Sequence, residues 1–105
     1  MKAIEKLIGK RVVIRADRAG VFYGTLAEIE PLGDKYVVEL HDCRRIWYWS
    51  GAASLTQMAM EGVKNPSRCK FTMSQRSIVV NGIIEVHGCT DKAIKSIEGV
   101  AVWKR

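Results

Sequence analysis

Residues 21–30, VFYGTLAEIE, then Pro31-Leu32-Gly33-Asp34, then residues 35–41, KYVVELH, decide the fold. The two flanking runs are rich in β-branched and aromatic residues, and the four residues between them have turn chemistry. Tyr36, Val38 and Leu40 fall at alternate positions, so they share one face of a strand. Gly24 sits inside the first run with no turn signal beside it, which predicts a bulge or a close backbone approach. Upstream, residues 10–17 (KRVVIRAD) read as another strand, closed by the turn Asp17-Arg18-Ala19-Gly20. Downstream, residues 43–49 read as a fourth. Connections this short predict an antiparallel meander over residues 9–49, twisted into a sheet or a small barrel-like roll.

The chain then changes character. Ser54-Leu55-Thr56-Gln57 has the S-x-x-Q spacing of a capping box and opens a helix over 54–61, with Leu55, Met58 and Ala59 inward and Gly62 at its end. Strands return within 71–87, at 77–80 and 83–87. Asn81-Gly82 between them fits either a tight hairpin turn or a bulge in one continuous strand. Thr90 caps a second short helix over 90–98, with Ala93, Ile94 and Ile97 as its buried stripe. Residues 100–103 read as an edge strand. The expected class is mainly β (α+β): one domain, 1–105, built as an antiparallel meander or small barrel-like roll with two short helices packed on one side.

A net charge of +6 on 105 residues points to an acidic partner, such as a nucleotide, a nucleic acid or an anionic metabolite. No apolar run approaches the roughly 20 residues that span a bilayer. Residues 1–8 carry an acid and lack a long apolar core, so they do not read as a signal peptide. Three cysteines, an odd number, argue for reduced thiols in a cytosol.

The chemistry concentrates in residues 42–51, DCRRIWYWSG. As a strand, this run places Arg45, Trp47 and Trp49 on one face and Arg44, Ile46 and Tyr48 on the other. Flat rings stack on nucleobases and guanidinium forks grip phosphates. Plain core packing competes for Ile46, Tyr48 and one tryptophan, since such residues bury large areas in sheets. Two tryptophans and an arginine on one face point instead to a ligand or another subunit. Phe71 offers a stacking ring and Asn81 a donor–acceptor edge; by residue type alone they read as a core Phe and a turn Asn. Trp103-Lys104-Arg105 is ambiguous, with Trp103 expected to dock on the sheet and Arg105 to stay in water.

No nucleophile elbow, P-loop, HExxH or Gly-rich dinucleotide fingerprint is present, so no enzyme is expected. His41-x-Cys43, Cys69 and His87-x-Cys89 are zinc-ligand types, but their spacing matches no zinc knuckle and strand alternation alone produces the i, i+2 pairs. No metal and no cofactor are expected.

Two resemblances add to this reading. Residues 9–45 resemble a small Sm-like barrel in the rhythm of Gly9-Lys10-Arg11-Val12-Val13-Ile14, Gly24-Thr25-Leu26 and residues 37–45 (VVELHDCRR), with residues 2–8 as the leading helix. This implies an RNA- or DNA-binding module. The whole chain resembles a family of small phage proteins that includes the Thoeris anti-defence sponges. The carrying stretches are residues 13–21 (VIRADRAGV), 44–52 (RRIWYWSGA), 62–64 (GVK), 84–90 (IEVHGCT) and 97–103 (IEGVAVW). That resemblance implies capture, without cleavage, of cyclic ADP-ribose isomers made by TIR-domain defence enzymes. Cyclic oligonucleotides are held by some members at separate sites. It also implies dimers assembled into hexamers in the host cell cytoplasm, with ligand sites between protomers. The implied ligand contacts are Arg44, Arg45, Trp47 and Trp49, with Phe71 and Asn81 against a base, and Arg11, Arg15 and Arg18 at a second site. A phage structural or assembly subunit, whose aromatics fill a protein interface, is the remaining alternative.

Overall fold

The computed structural model describes residues 2–104. Strands β1 (Arg11–Ala16), β2 (Gly20–Leu32) and β3 (Lys35–Tyr48) form the antiparallel meander. The runs at 35–41 and 43–49, expected as two strands, are one. Asp42 takes φ +50 between them, a left-handed conformation that Asp tolerates better than most residues, and the strand bulges instead of turning. Gly24 faces that bulge. A Cβ there would lie 3.0 Å from the His41 carbonyl oxygen and 3.2 Å from Cys43 Cα, so the close approach needs glycine.

The far edge of β3 is shared. Its first half pairs with β5 (Gln75–Asn81) and its last residues with β4 (Lys70–Phe71), while β6 (Ile83–Gly88) pairs with β1. β5 and β6 therefore lie on opposite edges of the sheet, and Asn81-Gly82 is not a hairpin turn. One residue, Gly82 at φ +80, carries the chain across. Its N–H donates to the Tyr36 carbonyl at 3.0 Å and its carbonyl accepts from the Asp17 N–H at 2.8 Å. The sheet curls into an open roll bridged by the chain, with no ladder closing it.

Both faces of the sheet are covered, which explains why Val12, Val13 and Ile14 are all fully buried in succession. Inside the roll, Val12, Ile14, Phe22, Leu26, Val38, Leu40 and Val80 pack together, with Ile4 and Leu7 laid against them. On the outer face, Val13, Tyr23, Ile46 and Phe71 meet Leu55 and Met58 of α2 (Leu55–Glu61) and Ile97 of α3 (Asp91–Glu98). The caps form as spaced: Ser54 Oγ accepts from the Gln57 N–H and Thr90 Oγ1 from the Ala93 N–H, each at 3.1 Å. The leading helix expected over 2–8 is a single turn, α1 (Lys2–Glu5), followed by turns. A 3-10 turn at Pro66–Arg68 leads into β4. The expected edge strand at 100–103 reduces to one parallel bridge, Phe71 with Val102. Among the described residues no helix is long and apolar enough to cross a membrane.

Candidate functional site

The basic-aromatic run forms the end of β3, and the strand sorts its residues sharply. Arg44 points inward and is 7% exposed. Its Nε donates to the Thr72 carbonyl at 2.8 Å, Nη1 to Ile97 at 3.0 Å, and Nη2 to Phe71 at 3.3 Å and Ala101 at 3.4 Å. This guanidinium ties β3 to the β4 region, to the end of α3 and to the segment after it; four of its five N–H donors are engaged and its side chain is buried, so it does not present a fork to a phosphate. Arg45 points outward. Its guanidinium lies 4.5 Å from the Phe22 ring centroid and donates to the Ala19 carbonyl at 2.8 Å.

Trp47 is 64% exposed and Tyr48 52%. The Trp47 ring runs parallel to Trp103, within 3°, at a centroid separation of 6.4 Å. Lys70 Nζ stands 5.5 Å from the Trp103 ring centroid. Trp103 reaches this position because its N–H donates to the Phe71 carbonyl at 2.9 Å. Trp49, expected beside Trp47, lies past the strand end, packs against the outer core, and donates its indole N–H to the Ala52 carbonyl at 3.2 Å. The surface is thus an exposed Trp47 parallel to a half-buried Trp103, with Lys70 on the Trp103 ring and Arg45 on the same strand as Trp47.

Phe71 and Asn81 are not brought to it. Phe71 is fully buried in the outer core, opposite Ile46, so its ring has no free face to offer a base. Asn81 lies opposite Val37, nine residues along β3 from Ile46, or about 30 Å of strand. Its Oδ1 accepts the Gly82 N–H at 2.8 Å, as a turn Asn does. The three outlying arginines do not converge either. Arg11 pairs with Glu98 at 3.1 Å, Arg15 stands four residues further along β1 opposite Val21 and Glu85, and Arg18 occupies the β1–β2 turn at φ +63.

Two of the three thiols are held protonated. Burial pushes the Cys43 thiol up to about 12 and the Cys89 thiol up to about 11, with Arg45 and Arg11 only partly offsetting this. Burial and then the bond to Glu98 raise the Tyr23 phenol well above its ordinary range. Glu39 is held low by hydrogen bonds from Ser77 and His41, and Glu85 by one from His87. Among the described residues no group of three or more His, Cys, Asp or Glu could hold a metal ion. Trp103 and Lys70 are the site residues that the local run does not reveal. The only signal was that Trp103-Lys104 repeats basic-aromatic chemistry far along the chain. Arg105, beside them, lies outside the described residues.

A family model described as a domain of unknown function (DUF6948) matches residues 9–97. The chain belongs to that family. No curated protein and no solved structure matches the chain. The DUF6948 match takes in the meander, β4 to β6 and nearly all of α3, and with them Arg45, Trp47 and Lys70; Trp103 lies beyond it.

Proposed function

We propose that this DUF6948 protein is a non-catalytic binder that captures nucleotide-type ligands on the Trp47–Trp103 surface. The observation that carries the reading is the parallel tryptophan pair, Trp47 exposed and Trp103 half-buried, with Lys70 over the Trp103 ring. Stacking contributes about 1–3 kcal/mol per base and is indifferent to base identity. A nearby ammonium and guanidinium add charge-assisted bonds to phosphate. The ligand class that the phage-family resemblance implies is the cyclic nucleotide immune signal, with cyclic ADP-ribose isomers first and cyclic oligonucleotides second. On this reading the protein sequesters the signal in the host cytoplasm, as a homo-oligomer in which a second copy covers the exposed rings and encloses the ligand. Tight binding and slow release need no catalytic group, in keeping with thiols held protonated.

A second reading is nucleic-acid binding by an Sm-like small barrel. The short leading α1 and the meander curled into a roll favour it. Salt separates the two. Nucleic-acid affinity falls steeply with salt through counterion release, whereas a compact signal with two phosphates responds weakly. The test is to incubate purified protein with a panel of cyclic nucleotides, remove the free ligand, heat the protein, and identify what is released. Intact cyclic nucleotide is the expected product. Cleaved product, or retention of none of the panel, overturns the proposal.

A further inference from the structure

One edge of the sheet is open and undefended. β4 is only two residues long, with Val102 bridged to Phe71. β6 pairs only with β1 among the described strands, and that ladder slips at a bulge beside Arg15 and Ala16, which turns an edge away from further pairing. β5 pairs only with β3, and its register runs unbroken from Asn81 opposite Val37 to Gln75 opposite Cys43. It carries neither the proline nor the lysine that commonly blunts an exposed edge, and Val79 on it is 67% exposed.

The open side of β5 carries unpaired backbone groups. The Gly82 N–H donates to the Tyr36 carbonyl at 3.0 Å, which extends the β3–β5 register by one pair. Opposed residues in an antiparallel ladder alternate between bonded and non-bonded pairs. Val80 and Ile78 therefore bond Val38 and Leu40, while Ser77, Val79 and Asn81 turn their N–H and C=O groups away from β3. Gln75 Nε2 donates to the Ser77 carbonyl at 3.1 Å, as a side chain does where no strand stands opposite. Among the described residues no turn, loop or side chain takes up the backbone N–H or C=O of Val79 or Asn81.

We infer that this edge pairs with the same edge of a second copy of the chain, antiparallel about a two-fold axis at Val79. Val79 then faces the partner's Val79, and Ser77 faces the partner's Asn81 at both ends. Each of these pairs brings together residues whose N–H and C=O groups point across the contact. A two-fold contact needs a surface that complements itself, and this strand does. The two Val79 side chains form a β-branched cross-strand pair on the outer face. Ile78 comes opposite the partner's Val80 on the inner face, where both residues already pack with the apolar lining of the roll. Arg76, the one charged residue of β5, falls opposite the partner's Gly82, so no like charges meet. The inference is independent of the nucleotide reading, because none of the Trp47–Trp103 surface enters it.

Hydrogen exchange followed by NMR at about 1 mM protein, where even weak association is populated, is the test. The Val79 and Asn81 amides are expected to be protected about tenfold or more, although neither has a partner within the chain. Val79→Lys sets two ammonium groups against each other on the axis and should free the Asn81 amide. Val79→Pro removes only an N–H that faces the open side, so it should melt near the wild type and free Asn81 as well. Val79→Cys, placed opposite itself, should form a disulfide-linked dimer on air oxidation, whereas Ser77→Cys and the wild type should not. The protection and the crosslink should both persist in Trp47→Ala, which separates this contact from the nucleotide site. Unprotected Val79 in the wild type, or Asn81 protection that survives in folded Val79→Lys or Val79→Pro, overturns the inference. So does a Val79→Cys that crosslinks no better than Ser77→Cys, the result expected if β5 pairs with a different strand or a different protein.

Discussion

Arg44 and Arg45 are neighbours in sequence and opposites in role. Arg44→Ala strips a charged donor from four carbonyls, of which Phe71 and Ile97 keep only backbone N–H partners, and each charge-assisted bond is worth about 1.5–3 kcal/mol. The variant is expected to melt more than about 10 °C lower. Arg44→Lys should recover little of this, because an ammonium cannot spread donors over a planar fork. Trp47→Ala removes an exposed ring, so its melting temperature should stay nearly unchanged while nucleotide affinity falls roughly 5- to 150-fold. Calorimetric titration beside a melting curve checks both. A folded Trp47→Ala that binds unchanged removes this surface from the site. Strand alternation made part of the site legible, since it put Arg45 and Trp47 on the face opposite Arg44 and Ile46. It gave no hint that Arg44 meets carbonyls from 27 to 57 residues away, nor that Trp103 returns to Trp47. Phe71 shows the same limit: a stacking ring and a core ring are one residue type, and only the layer above it decides.

At the scale of elements, the meander and both capped helices were legible because their signals are local: alternation, turn residues and hydroxyl caps. What escaped was where strands pair. Asp42 looked like a break between strands, yet one left-handed residue opposite Gly24 absorbs the irregularity and β3 runs on to Tyr48. Asn81-Gly82 carries hairpin chemistry, but the two edges of a curled sheet come close enough for one glycine to join them. Two glycines test how such joints are held. At Gly82 a Cβ would meet nothing nearer than 3.6 Å, so Gly82→Ala carries only the cost of φ +80, about 1–2 kcal/mol. At Gly51, φ is +94 and a Cβ would lie 2.4 Å from the Lys64 nitrogen and 2.6 Å from that of Asn65. Gly51→Ala must push apart backbone that cannot yield. Chemical denaturation should therefore rank it well below Gly82→Ala in stability.

For the whole molecule, pH and assembly are the two readouts. The Cys43, Cys89 and Tyr23 protons are all held more tightly in the folded state than in the unfolded chain. The stability they contribute is complete below the ordinary thiol value of 9.0 and is lost as pH rises through about 11 and 12. Glu39 and Glu85, held low, act in the opposite sense: their contribution is present above the ordinary carboxylate range and fades on acidification. Melting curves should fall at both ends, and alkylation of Cys43 should be slow at neutral pH. Assembly follows from the exposed surface. Trp47, Tyr48, Met73 and Val102 are each about half exposed or more on a chain with a radius of gyration of only 12.9 Å. A molecule this small has little room to enclose a dinucleotide-sized ligand alone, and apolar rings rimmed by cations favour cover by a second copy. Closed symmetry is the expected form, so light scattering should give a whole multiple of 11.8 kDa, and Trp47→Ala should shift it toward the single chain. A mass of 11.8 kDa at micromolar concentration, with and without ligand, rejects the shared-site architecture. In that case the tryptophan pair has to hold its ligand as an open platform, and release should be fast, because nothing closes over the stacked base.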